Sequence, residues 1–334
     1  MKKKDLLKIF VLVVVVGFSA LFFLNRQNTV EKTRFLLDTI VDISVTAKNK
    51  NCTEKKLKTI VDSTFSLILK YEKKFSYFLK DSKLWEMNNS EKDNFSIDSD
   101  FYEMLKLSSE VYSETDSLYD ISIGSLTELW DFDKVHIPSL DSIEFAQNNI
   151  GFHKIKFSEN QLYKPKEIKI NLGSVAKGFI IDKAITFLKD NKVESAIINA
   201  GGDIRILDYP KPLRVGIQNP RKQSEVIAVL TMQNSAVVTS GDYERYFEID
   251  GQIYHHIVNP KTGFPAYNSI SVTVIASSAT IADAYSTALF LMEPDDAIEL
   301  TNTIENIEAI IFYFEDDEIV NLKSNGLKEY LIKD

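Results

Sequence analysis

Asp283 and Thr287 stand four residues apart in the run Ile281-Ala282-Asp283-Ala284-Tyr285-Ser286-Thr287-Ala288. On a helix that spacing puts a carboxylate and a hydroxyl on one face, one turn apart. Alanines at 282, 284 and 288 leave room for a ligand or a second backbone to approach. Two hard oxygens so placed suit a cation such as Mg2+ or Ca2+. The plainer reading makes Asp283 a first-turn residue favoured by the helix dipole and Thr287 a packing residue.

Three further stretches carry polar groups in patterns that could act. Ile170-Asn171-Leu172-Gly173-Ser174-Val175-Ala176-Lys177-Gly178 reads as strand, glycine turn and helix start. Such a start offers free backbone N–H groups and a favourable dipole to a phosphate, and Lys177 adds a cation. It is not the Gly-x-x-x-x-Gly-Lys-Ser/Thr of a P-loop, and Ser174 could simply cap the helix. In Asn199-Ala200-Gly201-Gly202-Asp203 paired glycines allow positive φ or close approach to a ligand, or just a turn. Thr239-Ser240-Gly241-Asp242-Tyr243-Glu244-Arg245-Tyr246-Phe247 precedes His255-His256-Ile257-Val258-Asn259-Pro260-Lys261-Thr262-Gly263. Adjacent histidines on a strand face opposite ways, so only one can serve a site as proton acceptor.

The elements that must position these groups are mixed. A strand is expected from Phe35 to Val45, then helices over Thr53–Phe75, from the Asp98-Ser99 cap, and over Leu140–Asn149. Short strands follow, interrupted by helices at Ser174–Asn191 and Thr280–Met292. Without a steady βαβ rhythm the expected class is α+β with largely antiparallel strands.

Composition narrows the function. Of the net charge of −9, residues 1–34 hold seven Lys/Arg against two Asp/Glu, so the remainder stands at −14. An acidic body has no electrostatic footprint for nucleic acid. One cysteine, Cys52, and four histidines exclude an intrachain disulfide and make a structural zinc site improbable. Lys2-Lys3-Lys4 precedes an apolar run from Ile9 to Leu24, the pattern of export. The expected organisation is a signal peptide or signal anchor over 1–25, a tether over 26–34, and a catalytic domain over 35–334 outside the cytoplasm.

Taken in order, these motifs resemble the FAD:protein FMN transferases, the ApbE family. Asp120-Ile121-Ser122-Ile123-Gly124-Ser125-Leu126, ending at Trp130, is similar to that family's Asp-x-x-x-Gly-x-Leu…Trp segment. The resemblance implies a two-lobed mixed α/β domain, Mg2+ as cofactor and FAD as substrate. It implies Mg2+ ligation by Asp283, Thr287 and the backbone carbonyl of Ser174. It implies FAD contacts from Leu118, Tyr119, Asp120, Asn171, Lys177 and Val258, and a base at His256. Leu37 falls where members often have a methionine against the flavin, Phe78 where a tyrosine commonly stacks, and Asn171 replaces a common aspartate. The implied reaction moves FMN onto a Thr/Ser of an extracytoplasmic acceptor protein and releases AMP. An FAD pyrophosphatase or a non-catalytic flavin-binding surface protein are the alternatives. An imidazole at its ordinary value would give a rate rising with pH near ~6.5.

Overall fold

The computed structural model describes residues 25–48, 51–132 and 135–332. The expected anchor therefore lies, except for its last residue, outside the described residues. Among the described residues no helix is long and apolar enough to cross a membrane.

Strand β1 (Gln27–Leu36) pairs antiparallel with β2 (Thr39–Lys48), Gln27 opposite Lys48 and Leu36 opposite Thr39. This corrects two expectations. Most of the stretch 26–34 is strand rather than tether, and the strand expected from Phe35 to Val45 is bent into a hairpin. The bend falls at Leu37 and Asp38, with φ of 56° and 55°. Neither is glycine or asparagine, so the usual hairpin signal is missing.

The chain continues through α1 (Glu54–Phe75), α2 (Lys83–Asn88), β3 (Asn94–Ser96), α3 (Ser99–Glu114), α4 (Gly124–Leu129) and α5 (Leu140–Asn148). Then come β4 (Lys156–Ser158), β5 (Gln161–Tyr163), α6 (Ala176–Asp190), β6 (Ser195–Ala200), β7 (Asp203–Leu207), β8 (Leu213–Asn219) and β9 (Lys222–Met232). The last stretch holds β10 (Ala236–Gly241), β11 (Tyr246–Ile249), β12 (Gln252–His255), β13 (Ser271–Ala276), α7 (Ala279–Leu291), α8 (Pro294–Thr303), β14 (Ile307–Glu315) and β15 (Glu318–Lys323).

Eight strands form the main sheet in the order β1-β2-β6-β7-β10-β13-β14-β15, every neighbouring pair antiparallel. The class is α+β. Alternation along β10 and β13 sorts the two faces. Ala236, Val238, Val274 and Ala276 pack towards α1, α6 and α7, while Val237 and Ile275 join the cluster under the β8–β9 hairpin. A third cluster gathers Leu126, Trp130, Ile143 and Val258, and the Trp130 indole donates to the Gly263 carbonyl at 2.9 Å.

From Ala282 to Leu291 every residue of α7 is buried except Thr287. A helix apolar on nearly all sides belongs inside a core, and Asp283 is carried in with it. Two grips from α6 set its position. The Asp182 carboxylate accepts from Ser278 Oγ (2.7 Å), Ala279 N (3.1 Å) and Thr280 N (2.8 Å), satisfying the exposed donors of the α7 start. Gly178 lies so close that a Cβ there would sit 2.1 Å from the Ala279 carbonyl oxygen.

Gly178 yields a prediction whose sign is diagnostic. Glycine to alanine inside a helix ordinarily raises stability, by up to about 1 kcal/mol. Gly178→Ala should instead lower it by about 1–3 kcal/mol through overpacking. Urea denaturation measures the change, and an unchanged or raised midpoint would show that the two helices are free to separate.

Candidate functional site

Ser174 ends the turn before α6, but it does not cap the helix: Val175 is the cap residue and makes no side-chain cap bond. The Ser174 hydroxyl instead donates to the Tyr119 hydroxyl at 3.0 Å, which ties the turn to the Leu118-Tyr119-Asp120 segment. Four residues on, the Gly178 N–H donates to Asp283 Oδ2 at 2.8 Å. Thr287, one turn further along α7, lies 3.3 Å from Ser240 Oγ on β10. Asp283, Thr287 and the start of α6 are thus brought together by the helix crossing.

Charge explains what this cluster is prepared to do. Burial pushes the Asp283 carboxyl up to about 7, helped by the negative charge of Asp203 and opposed by Lys177 and the Gly178 N–H. A carboxylate held near the edge of protonation is relieved by a cation. Lys177 Nζ lies 2.5 Å from Asp203 Oδ2. Burial disfavours the Lys177 ammonium, but the charges of Asp203 and Asp283 outweigh it and hold its pKa above the usual lysine value. Asp203 is pulled both ways, towards the neutral acid by burial and towards the carboxylate by Lys177. A cation in direct contact with one of its oxygens decides for the carboxylate.

The histidine pair divides, though not by strand alternation: β12 ends at His255 and His256 stands at the bend that follows. His255 is buried, its Nε2 2.6 Å from the Ala266 carbonyl and its Nδ1 accepting from the Ile257 N–H at 3.3 Å. Both ring nitrogens are engaged in structure. The next residue, His256, meets solvent, and its backbone N–H donates to the Arg245 carbonyl at 3.0 Å. Desolvation nevertheless pulls the His256 imidazole down to about 4, with His255 and Arg245 adding to the effect and the Arg245 backbone opposing it. Lys177 acts on His256 and on Glu244, which places the β11–β12 hairpin beside the Asp283 cluster. The limb expected near ~6.5 is accordingly corrected downward, and His256 is neutral at pH 7.

The remaining expected residues fall into two groups. Leu37, at the β1–β2 turn, has its N–H held by Glu72 Oε1 at 3.0 Å, and Thr39 beside it fits against Gly201 of the diglycine turn. The Phe78 ring is exposed, edge-on to Tyr77 and 5.7 Å from the Arg245 guanidinium, on the His256 side. Leu118 packs on the main core. The Asp120 carboxylate braces its own loop and ties it to Phe152: Oδ1 accepts from Ser122 N and Oγ (2.8 and 2.6 Å), and Oδ2 from Phe152 N (3.2 Å). Asn171 bonds Thr127 Oγ1 and the Gly173 N–H, and Val258 is buried in the Trp130 cluster. None of these residues lines the 460 Å3 cavity between α4 and α5, so that cavity is separate from the site. Sequence reasoning missed roles for Asp182 and Asp203, although the turn ending at Asp203 was visible.

The carboxylate of Asp283 and the hydroxyl of Thr287, one helical turn apart, are donors of the kind that fit a hard divalent cation. Among the described residues no three His, Cys, Asp or Glu side chains cluster as a metal site would require, so such an ion would rest on mixed oxygen ligands. Fold and site together define an α+β protein that gathers hard oxygens, a lysine and a helix start in one place, groups of the kind that suit a phosphate-bearing ligand.

Comparison with known proteins agrees. The family model described as the ApbE family matches residues 37–311, and the chain belongs to that family. The FAD:protein FMN transferase of Escherichia coli (strain K12) is 27% identical over 305 residues, covering 87% of this chain and 85% of that protein. The FAD:protein FMN transferase of Treponema pallidum is 28% identical over 283 residues, 78% of each. The solved ApbE protein of Thermotoga maritima is 30% identical with a TM-score of 0.82, covering 92% of this chain and 100% of that one.

The two histidines should separate in kinetics. His256→Ala should slow turnover by roughly 100- to 10,000-fold, the range for a lost proton-transfer group, whereas His255→Ala should act through stability. With metal saturating, the wild-type rate should be flat around neutrality and fall towards about pH 4, where His256 gains its proton. A limb centred near ~6.5 that survives in His256→Ala would remove this residue from proton transfer.

Proposed function

We propose that the protein is a Mg2+-dependent FAD:protein FMN transferase, anchored to the cell membrane with its catalytic domain outside the cytoplasm. The observation that carries this reading is the buried Asp283 carboxylate, gripped by the α6 start and set beside Lys177, in a chain of the ApbE family. The lysine-led apolar segment supports the location.

Asp283, Thr287 and the Ser174 carbonyl would hold Mg2+, which when bound draws charge from the FAD diphosphate and fixes its geometry. The α6 N-terminus and Lys177 offset the rest of that charge. Leu37 and Phe78 would flank the flavin ring. A threonine or serine hydroxyl of the acceptor attacks the FMN phosphorus, and His256, neutral at pH 7, takes its proton. The new phosphoester bond forms as the phosphoanhydride bond to AMP breaks, and AMP leaves.

Incubation with FAD, Mg2+ and an acceptor domain should add one FMN phosphoester to the acceptor, read by intact mass, with one AMP released. Asp283→Ala should abolish the adduct, EDTA should do so reversibly, and Thr287→Ala should reduce it less, since a neutral hydroxyl contributes less to a divalent ion. AMP released at the same rate without an adduct would make the protein a pyrophosphatase. FAD binding without AMP would leave only a flavin carrier.

A further inference from the structure

Asp203 ends the diglycine motif, yet nothing in the transfer step calls for a carboxylate there. Gly201 and Gly202, with φ of 64° and 102°, turn the chain from β6 into β7, and Gly201 has no room for a Cβ against Thr39. The turn delivers Asp203 to a fully enclosed position, where its side chain is 3% exposed and Oδ2 meets Lys177 Nζ at 2.5 Å. Lys177 is also the neighbour in sequence of Gly178, whose N–H holds Asp283 Oδ2. Two buried carboxylates thus compete for one lysine on a flexible four-carbon stem.

That choice matters to a metal. A buried carboxylate costs free energy until something pairs with it. Were Lys177 to pair with Asp283, the site would be neutralised from within, and a divalent ion would have to displace the ammonium before binding. The ammonium would also be drawn towards α7 and away from a ligand's phosphates.

We propose that Asp203 is a positioning residue that holds the Lys177 ammonium off Asp283, leaving that carboxylate open to a divalent ion and Lys177 turned towards the substrate's diphosphate. The inference rests on the reading of Asp283 as a metal ligand. It gives the Asn-Ala-Gly-Gly-Asp turn a specific role, in which the glycines aim a carboxylate that acts through a lysine.

The test separates this inference from the metal reading. A crystal structure of Asp203→Asn grown in chelator should show Lys177 Nζ moved to within ~4 Å of the Asp283 carboxylate, ion-pair distance. Titration with Mn2+, followed by the electron paramagnetic resonance of the free ion, reads the consequence without turnover. Asp203→Asn should bind Mn2+ about tenfold more weakly than the wild type, and adding Lys177→Met to the same chain should restore most of the loss. The double variant has neither charge, so it supplies the reading if the single variant does not fold. Lys177 remaining beside position 203 in the crystal would overturn the proposal. So would wild-type Mn2+ affinity in Asp203→Asn, or a double variant that binds no better than the single. A wild type that retains no Mn2+ would count against Asp283 as a ligand, while the crystal structure would still decide where Lys177 goes.

Discussion

Where α6 crosses the start of α7, the two backbones meet at a distance that only glycine allows. A Cβ on Gly178 would sit 2.1 Å from the Ala279 carbonyl oxygen. The contact does more than close the core, because the freed Gly178 N–H reaches Asp283 on the next turn of the opposing helix. Four residues along the same face of α6, Asp182 takes the unpaired donors at the α7 N-terminus. One helix therefore fixes both the entry angle of the other and the carboxylate it carries. The antiparallel sheet supplies the floor: β10 brings Ser240 beneath Thr287, and β6–β7 delivers Asp203 to Lys177.

Burial at that crossing creates the electrostatics of the site. A body carrying most of the chain's negative charge is a poor host for a diphosphate unless cations are placed locally. The structure places a lysine and a helix start there, beside carboxyls that burial raises towards neutrality, Asp283 and Asp203 among them. The same desolvation acts oppositely on the nearby His256, lowering its pKa and keeping the imidazole uncharged. The raised Asp283 carboxyl and the depressed His256 imidazole are separate perturbations: one favours a nearby cation, and the other leaves a neutral ring able to accept a proton.

Much of this is legible in the sequence alone. Helical spacing places α1, α3 and α7 to within a residue or two, and the Asp283–Thr287 pairing follows from the helix period. The class follows from the absence of βαβ rhythm. The β1–β2 hairpin is not legible, because a Leu-Asp turn with positive φ lacks the usual composition and the polar start of β1 resembles a linker. Asp120 illustrates a different limit: the family resemblance implies a ligand contact, and only the structure shows that its carboxylate also accepts from Ser122 and Phe152. Asp182 and Asp203 act on residues distant in sequence, and no local spacing encodes partners so far along the chain. The glycines around them are the only local trace.

Folding buries the Asp283 carboxyl; the proposal that it ligates a divalent cation is tested most directly by proton release on Mg2+ addition, measured by pH-stat in lightly buffered solution. With Asp283 held at about 7, binding should expel nearly one proton per protein at about pH 6 and almost none at about pH 9. Asp283→Asn should release none at either. Saturable Mg2+ binding with no proton released at the lower pH, or with the same release from Asp283→Asn, would contradict the assignment.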